Sequence, residues 1–172
     1  MEANGTIYSH QQPVEGWEIA VENGDARAGG VFAYGGDENA WLGGKGYVSP
    51  ATNPEGVAEG NALGVVAVWS ATVQYTQKLT LEAGSYVLTI PIYNSVGGTN
   101  VPVKSLIGFI AGDGKEYLAE AKAYPVGTWT NEVITFTLDK PTTGVLSLGY
   151  QGQNVGSGKA QHLFIDRVDI KA

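Results

Sequence analysis

The sequence contains no cysteine, which excludes disulfide bonds, thiolate nucleophiles and thiolate zinc sites together. It is also poor in basic residues: 10 Lys and Arg stand against 17 Asp and Glu, giving a formal net charge of -7. Because phosphate binding needs clustered Lys and Arg, this balance argues against nucleic acid and anionic lipid as partners. No apolar run approaches the roughly 20 residues of a membrane-spanning helix, so no membrane insertion is expected.

Glycine, by contrast, is abundant, with 25 residues in a chain of 172 that is 43% hydrophobic. This composition is typical of a globular protein with many loops, and the length predicts a single domain over residues 1–172. The first ten residues, MEANGTIYSH, lack the basic and apolar regions of a signal peptide, so none is expected within this sequence.

Apolar and polar residues alternate in short runs between Gly, Pro, Asn and Asp clusters, and helical periodicity is nearly absent. This pattern predicts an all-β fold, a two-sheet antiparallel β-sandwich. The predicted strands cover residues 17–21, 31–34, 63–69, 73–81, 86–93, 106–111, 116–124, 133–138, 145–150 and 163–170.

One segment is ambiguous. Residues 115–124 (KEYLAEAKAY) are rich in the helix-favouring Ala, Glu, Lys and Leu, so a helix of one or two turns is the alternative there. Asp113 and Gly114 directly before it form a hairpin signal, and Pro125 ends it, so a strand is predicted.

Alternation along the strands predicts which side chains form the core. The sets that share an inward face are Tyr75, Gln77, Leu79 and Leu81; Tyr86, Leu88, Ile90 and Ile92; Ile134, Phe136 and Leu138; Leu146, Leu148 and Tyr150; and Phe164, Val168 and Ile170. Pro91 cannot donate to a strand ladder, so its strand is predicted to lie at an edge or to be bulged. His162 is predicted to be a polar residue at a strand edge.

Three stretches carry a family resemblance: LTLEAGSYVLTIPIYN (residues 79–94), VGTWTNEVITFTL (126–138) and HLFIDRVDIKA (162–172). With them the chain resembles galactose-binding-like jelly-roll domains, and among these the carbohydrate-binding modules of secreted polysaccharide-utilisation proteins of gut bacteria. The resemblance spans residues 65–172 and implies a jelly-roll sandwich at the cell surface, in the periplasm or outside the cell. Its motifs belong to the framework and imply no particular sugar.

Two loops interrupt the strand pattern, at residues 35–61 and 152–161. Loops of such length and composition tend to be functional, and together they are the predicted binding region. Sugars are bound by flat aromatic faces and by hydrogen-bonding amides, so exposed tryptophans near polar residues are the feature to seek. The candidate ligand-binding residues are Trp41, Trp69, Tyr34, Tyr47, Asn39, Gln153 and Asn154.

Each candidate has a structural alternative. Trp41 in the long loop could instead be a plug that pins this loop, and Tyr34 and Tyr47 could be interface aromatics whose hydroxyls meet water. Gln153 and Asn154 could satisfy backbone groups. Trp17 and Trp129 are predicted to be structural, because the resembling modules have core tryptophans at these places.

Asp166 shares a face with Phe164 and Val168 on strict alternation, so either a bulge turns its carboxylate outward or the carboxylate is buried. The resemblance implies a structural calcium ion held by an Asp at this position with groups of the N-terminal strand. The alternative is an Asp that pairs with Arg27 or Arg167, or caps backbone N–H groups.

The sequence therefore predicts a non-catalytic domain that binds a polysaccharide or oligosaccharide, with no catalytic residues and no cofactor other than the calcium ion. We expect a monomer or part of a larger multidomain protein. One alternative is a structural or adhesive spacer, which requires Trp41 and Trp69 to be buried. A second is a small glycoside hydrolase or polysaccharide lyase, which requires paired carboxylates or a Tyr-His-Arg cluster.

Overall fold

The computed structural model describes residues 7–8, 12–20, 26–35, 40–41, 49–95, 98–156 and 158–172. The strands are β1 (Ile7–Tyr8), β2 (Glu18–Ile19), β3 (Arg27–Ala33), β4 (Ala40–Trp41), β5 (Asn61–Ala67), β6 (Thr72–Leu81), β7 (Gly84–Asn94), β8 (Lys104–Ser105), β9 (Gly108–Ala111), β10 (Glu116–Leu118), β11 (Trp129–Leu138), β12 (Thr142–Gln151), β13 (Leu163–Ile165) and β14 (Asp169–Lys171). Among the described residues, no helix is long or apolar enough to cross a membrane.

Two antiparallel sheets form the sandwich, as the sequence predicts. The front sheet has the order β10-β9-β12-β6-β2, with β8 also paired to β12. The back sheet has the order β11-β7-β13-β5-β3, with β14 also paired to β7. Successive long strands alternate between the sheets, so the connections β5–β6, β6–β7 and β11–β12 each cross the sandwich. This is the jelly-roll β-sandwich class that the sequence predicts. The separate pair β1–β4 is parallel.

The main core lies between the sheets and is built from the inward faces that alternation predicts. Leu88, Ile90 and Ile92 of β7 are completely buried against the front sheet, and Leu148 and Tyr150 of β12 face them. Four rings fill one part of this core, where Phe136 stacks on Phe109, Tyr117 and Tyr86. Gln77 does not join this core as predicted, because its side chain is exposed and donates to the Gly16 carbonyl at 3.1 Å.

A second apolar cluster lies on the outer face of the back sheet, which the sequence does not predict. Its buried members are Ala28, Phe32, Tyr34, Ala62, Val66, Val68, Ala160 and Phe164. Trp129 packs beside this cluster, and its indole N–H donates to the Thr52 carbonyl at 2.9 Å. Trp17 packs against the main core. The structural roles predicted for these two tryptophans are thus confirmed.

Phe164 points away from Val168 and Ile170, so the prediction of one shared inward face is wrong. The cause is one extra residue between β13 and β14, which both pair with β7. Ile165 pairs with Ile92 and Asp169 pairs with Thr89, so an advance of four residues on one side matches an advance of three residues on the other. Arg167 adopts a φ of 47° at this bulge. Pro91 belongs to β7, which lies inside the back sheet between β11 and β13, so the predicted edge position is wrong. A bulge does occur opposite Pro91, but it lies in the neighbouring segment between β13 and β14.

Two further predictions need correction. Residues 116–118 form a strand, but residues 119–124 form neither strand nor helix. The Ala119 N–H still donates to the Ile107 carbonyl, whereas the Lys122 carbonyl and the Tyr124 N–H bind the side chain of Gln161. His162 is 1% exposed, so it is a buried residue and not an edge residue. Its backbone carbonyl accepts the Ser95 N–H at 2.9 Å.

Candidate functional site

The end of the sandwich at which β5, β7 and β12 finish gathers four connections, of which the structure describes residues 68–71, 95 and 98–103, 119–128, and 152–156 and 158–162. We call this region the loop end. Three of the predicted ligand-binding residues, Trp69, Gln153 and Asn154, come together here, and all three are exposed. The remaining predicted residues do not join them within the described part of the chain.

Trp69 is held in an unusual backbone conformation. Its φ is 52° and that of Ser70 is 64°, and left-handed conformations cost a residue with a side chain roughly 1 kcal/mol or more. Hydrogen bonds hold this turn, because the Trp69 N–H donates to the Val155 carbonyl and the Ser70 N–H to the Gln153 carbonyl, each at 3.0 Å. The 152–156 segment thus fixes the position of the tryptophan.

The Trp69 side chain remains 59% exposed although the turn is fixed. The edge of its indole lies against Gly156, where a Cβ would be only 3.3 Å from the ring atom Cζ2. Backbone strain around an exposed aromatic side chain makes this turn a candidate functional site.

A polar cleft of about 520 Å³ opens beside this turn. Its lining residues come from two connections and are Gly98, Thr99, Asn100, Val101, Gln153, Gly158 and Lys159. They supply a hydroxyl, two amides and one ammonium group. The backbones on the two sides are joined, since the Asn100 N–H donates to the Lys159 carbonyl at 3.0 Å.

Beneath the cleft lie two buried amides, Asn94 and Gln161, which we call the amide pair. The Gln161 Oε1 accepts the Tyr124 N–H at 2.8 Å and the Asn94 Nδ2 at 3.4 Å. Its Nε2 donates to the carbonyls of Asn100 at 3.0 Å and Lys122 at 2.8 Å. One side chain therefore connects two loops of the loop end to the strand that follows it.

Asn94 adds further bonds to the same loops. Its Nδ2 donates to the carbonyls of Gly98 at 3.0 Å and Tyr124 at 3.2 Å, and its Oδ1 accepts the His162 N–H at 3.3 Å. The amide pair is buried, so each of these bonds would leave an unsatisfied polar group if it were lost. The cleft is thus built on a rigid base.

Tyr150 ties the front sheet to the same base. Its hydroxyl donates to the Gln161 carbonyl at 2.6 Å and accepts the Ala67 N–H at 2.9 Å. Burial raises the pKa of Tyr150, so the hydroxyl stays protonated and keeps its donor role.

A buried carboxylate holds the 119–128 connection. The Tyr124 hydroxyl donates to the Glu132 Oε1 at 2.7 Å, and the Lys122 ammonium lies 2.6 Å from the same oxygen. Burial raises the pKa of Tyr124, and the hydrogen bond to Glu132 and the charge of that carboxylate raise it further. Lys122 is thereby committed to Glu132.

Replacing Gly98 with alanine is expected to disrupt the cleft. A Cβ at this position would lie 2.1 Å from the carbonyl oxygens of both Lys159 and Ala160, so the two backbones would have to separate. We expect a loss of unfolding free energy of about 2 kcal/mol, measured by urea denaturation. Gly158→Ala is the matched control, since no atom lies within 4 Å of its Cβ position. Equal stability of the two variants would contradict this close contact.

Tyr34 lies away from the loop end. Its N–H donates to the Gly60 carbonyl just before β5 begins, whereas Trp69 follows the end of that strand. The seven residues of β5 separate the two positions by about 20 Å at the usual rise per residue. The Tyr34 hydroxyl donates to the Asp166 Oδ2. Burial, then the hydrogen bond to Asp166, raises the pKa of Tyr34. Tyr34 is thus a buried partner of Asp166.

The surroundings of Asp166 bear on the predicted calcium ion. One carboxylate oxygen accepts the Tyr34 hydroxyl, and the neighbouring Arg167 forms an ion pair with Glu55 at 2.7 Å. Calcium takes about six to eight oxygen ligands. Within the described ranges, no group of three or more His, Cys, Asp or Glu residues could hold a metal ion. The calcium ion stays a prediction.

The other predicted ligand-binding residues lie partly or wholly outside the described residues. Trp41 forms β4 with its backbone, while its side chain is not described, and Asn39 and Tyr47 fall outside the described ranges. Their predicted roles stay predictions.

A second cleft, of about 320 Å³, lies at the side of the sandwich and is lined by Trp17 and largely apolar core residues. Three of its polar side chains have partners: Gln77 binds Gly16, Asp166 binds Tyr34 and Arg167 binds Glu55. The loop end is the better candidate, because its exposed indole and polar groups face solvent together.

No protein-family model matches the chain, and no curated protein matches it. Among solved structures it is similar to a family 16 carbohydrate-binding module, with a TM-score of 0.41, 14% identity, and coverage of 69% of this chain and 82% of that one. It is also similar to a xylan-binding domain from Paenibacillus barcinonensis, with a TM-score of 0.46, 13% identity, and coverage of 91% and 85%.

A carbohydrate-binding module of the β-sandwich superfamily matches with a TM-score of 0.45 and 12% identity, covering 93% of this chain and 58% of that one. At these identities and TM-scores, the similarity assigns neither a ligand nor a site residue to this chain. The chain is a two-sheet antiparallel jelly-roll β-sandwich, and in this it is similar to these modules.

Proposed function

We propose that this domain binds carbohydrate at the loop end without modifying it. The observation that carries the proposal is Trp69, an indole that is 59% exposed beside a polar cleft. An aromatic face can stack on the C–H surface of a sugar ring, while hydroxyl and amide groups such as those of Thr99, Asn100 and Gln153 hydrogen-bond its hydroxyls.

The rigid base of the cleft supports this proposal. The amide pair fixes the loops before any ligand arrives, so binding orders few additional groups and loses little conformational entropy. The names of the matched modules, which include a xylan-binding domain, agree with the class of ligand that we propose for this chain.

The chemistry of the cleft favours binding over catalysis. Glycoside hydrolysis uses two carboxylates that flank one bond, and the described residues that line the cleft include neither Asp nor Glu. The spacer alternative requires Trp69 to be buried, and the exposure of this residue argues against it. We propose that the domain acts as a secreted or cell-surface module, alone or within a larger multidomain protein, because polysaccharides occur there.

A glycan array of plant and animal polysaccharides tests the proposed carbohydrate binding. We expect the unsubstituted protein to bind at least one polysaccharide and Trp69→Ala to lose this binding. Trp41→Ala is measured on the same array, because Trp41 is also a predicted ligand-binding residue. Release of reducing ends, assayed on each bound polysaccharide, is expected to stay at background. If the parent bound no glycan, the spacer interpretation would replace ours; if reducing ends appeared, the domain would be an enzyme.

A further inference from the structure

Acidic residues are distributed unevenly in this acidic chain. Seventeen Asp and Glu residues stand against 10 Lys and Arg in the whole sequence, yet none lies between Ser95 and Gly112 or between Lys140 and Ile165. These two stretches are neighbours, because β8 and β9 of the first pair with β12 of the second. The described residues that line the cleft of the loop end all come from these two stretches. This lining therefore carries no Asp or Glu, and the acidic residue of the loop end, Glu120, lies in another connection.

Lys159 is the only charged residue among the described residues that line the cleft. Its backbone is fixed on both sides, since its N–H donates to the Gly156 carbonyl at 3.1 Å and its carbonyl accepts the Asn100 N–H. Its side chain forms no ion pair with any described residue. Lys104 and Lys122, by contrast, are paired with Glu116 and Glu132. Among the described lysines of this region, Lys159 is thus the one without a described ion-pair partner, and its ammonium group can bind a ligand.

We propose that the loop end selects anionic sugars, with the Lys159 ammonium binding a carboxylate or sulfate group while Trp69 stacks on the sugar ring. This inference rests on the proposed function and specifies its ligand class. An ammonium group beside an anionic acceptor makes a charge-assisted hydrogen bond, which is stronger than a neutral one. Because the described lining contains no Asp or Glu, no carboxylate within it repels such a ligand at short range.

Affinity electrophoresis on polygalacturonate and on its fully methyl-esterified form isolates the contribution of the charge, because esterification removes the charge and keeps the sugar. We expect the parent to bind the charged polymer roughly tenfold more tightly at low salt, and we expect this preference to shrink as salt screens it. Dextran sulfate, compared with unsubstituted dextran, gives the corresponding test for sulfate.

Lys159→Gln is expected to remove the preference, and Lys159→Arg to retain most of it. Lys140→Gln is the matched control, since Lys140 is an exposed lysine at the connection between β11 and β12 and its loss changes the net charge equally. An unchanged preference in Lys159→Gln, or an equal loss in Lys140→Gln, would overturn the inference.

Comparing neutral with charged polymers distinguishes the proposed selectivity for anionic sugars from the proposed carbohydrate binding on which it rests. Binding of a neutral polysaccharide that depends on Trp69, without preference for charge, would overturn the anionic selectivity and leave the proposed function standing. Binding of no glycan at all would overturn both. A preference for dextran sulfate alone would support the inference and identify sulfate, rather than carboxylate, as the recognised group.

Discussion

Gln161→Ala is expected to lower the free energy of unfolding by about 3 kcal/mol, the largest stability loss that we predict for a polar residue of this protein. The wild-type side chain satisfies the Tyr124 N–H and the carbonyls of Asn100 and Lys122, all at 3.0 Å or less. Alanine leaves these groups without their partner at a site where Gln161 is 1% exposed. Urea denaturation followed by circular dichroism measures the loss.

The control for this change is Asn131→Ala, which removes an exposed amide from β11 and is expected to cost less than about 0.5 kcal/mol. Asn94→Ala and the double variant complete a mutant cycle. Because Asn94 and Gln161 hold the same loops, their effects should be less than additive by about 1 kcal/mol. Strict additivity, or a loss in Gln161→Ala no larger than that in Asn131→Ala, would show that the amide pair does not organise the loop end.

Trp69→Gly is expected to weaken glycan binding roughly thirtyfold, which corresponds to about 2 kcal/mol for a tryptophan at the centre of a site. The free energy of unfolding should change by less than about 1 kcal/mol. Glycine relieves the left-handed strain at φ 52°, and this gain offsets the lost contact with Gly156. Isothermal titration calorimetry and urea denaturation measure the two quantities on the same sample.

Two further substitutions separate the indole from the backbone. Trp69→Ala loses the ring and keeps the strain, so it should be less stable than Trp69→Gly and bind equally weakly. Trp69→Phe keeps an aromatic face and should recover part of the affinity. A stability loss of several kcal/mol in Trp69→Gly would instead identify Trp69 as a packing residue and refute its role as a ligand platform.

The sequence predicts well those structural features that depend on residues close together in the chain. Alternation in β7 predicts the burial of Leu88, Ile90 and Ile92, since the side-chain period of a strand depends on local geometry. Trp69 ends the predicted apolar strand 63–69, and it does lie at a strand end, although β5 itself stops at Ala67. Phe164 is mispredicted because the bulge at Arg167 inserts one residue, which reverses the faces on either side of it.

The amide pair could not be predicted, because its partners lie far away in the sequence. Gln161 binds Asn100 and Lys122, and nothing in a glycine-rich segment indicates which distant carbonyls its amide will meet. The same contacts bear on residues 119–124, whose composition suggests a regular element, because the backbone groups of Lys122 and Tyr124 bind the amide pair instead. The one local signal was that Asn94 ends a long apolar strand, where a polar residue must find a partner if it is buried.

The central claim is that Trp69 at the loop end contacts the bound sugar. Its most direct test is a two-dimensional NMR titration, in which a fragment of a polysaccharide that the protein binds is added and the four tryptophan indole N–H signals are followed. The missing peak in Trp69→Phe assigns the signal of Trp69. We predict that this signal shifts in proportion to saturation, while the signal of Trp129, whose N–H is held by Thr52, stays in place. A titration that saturates without moving the Trp69 signal would contradict our account.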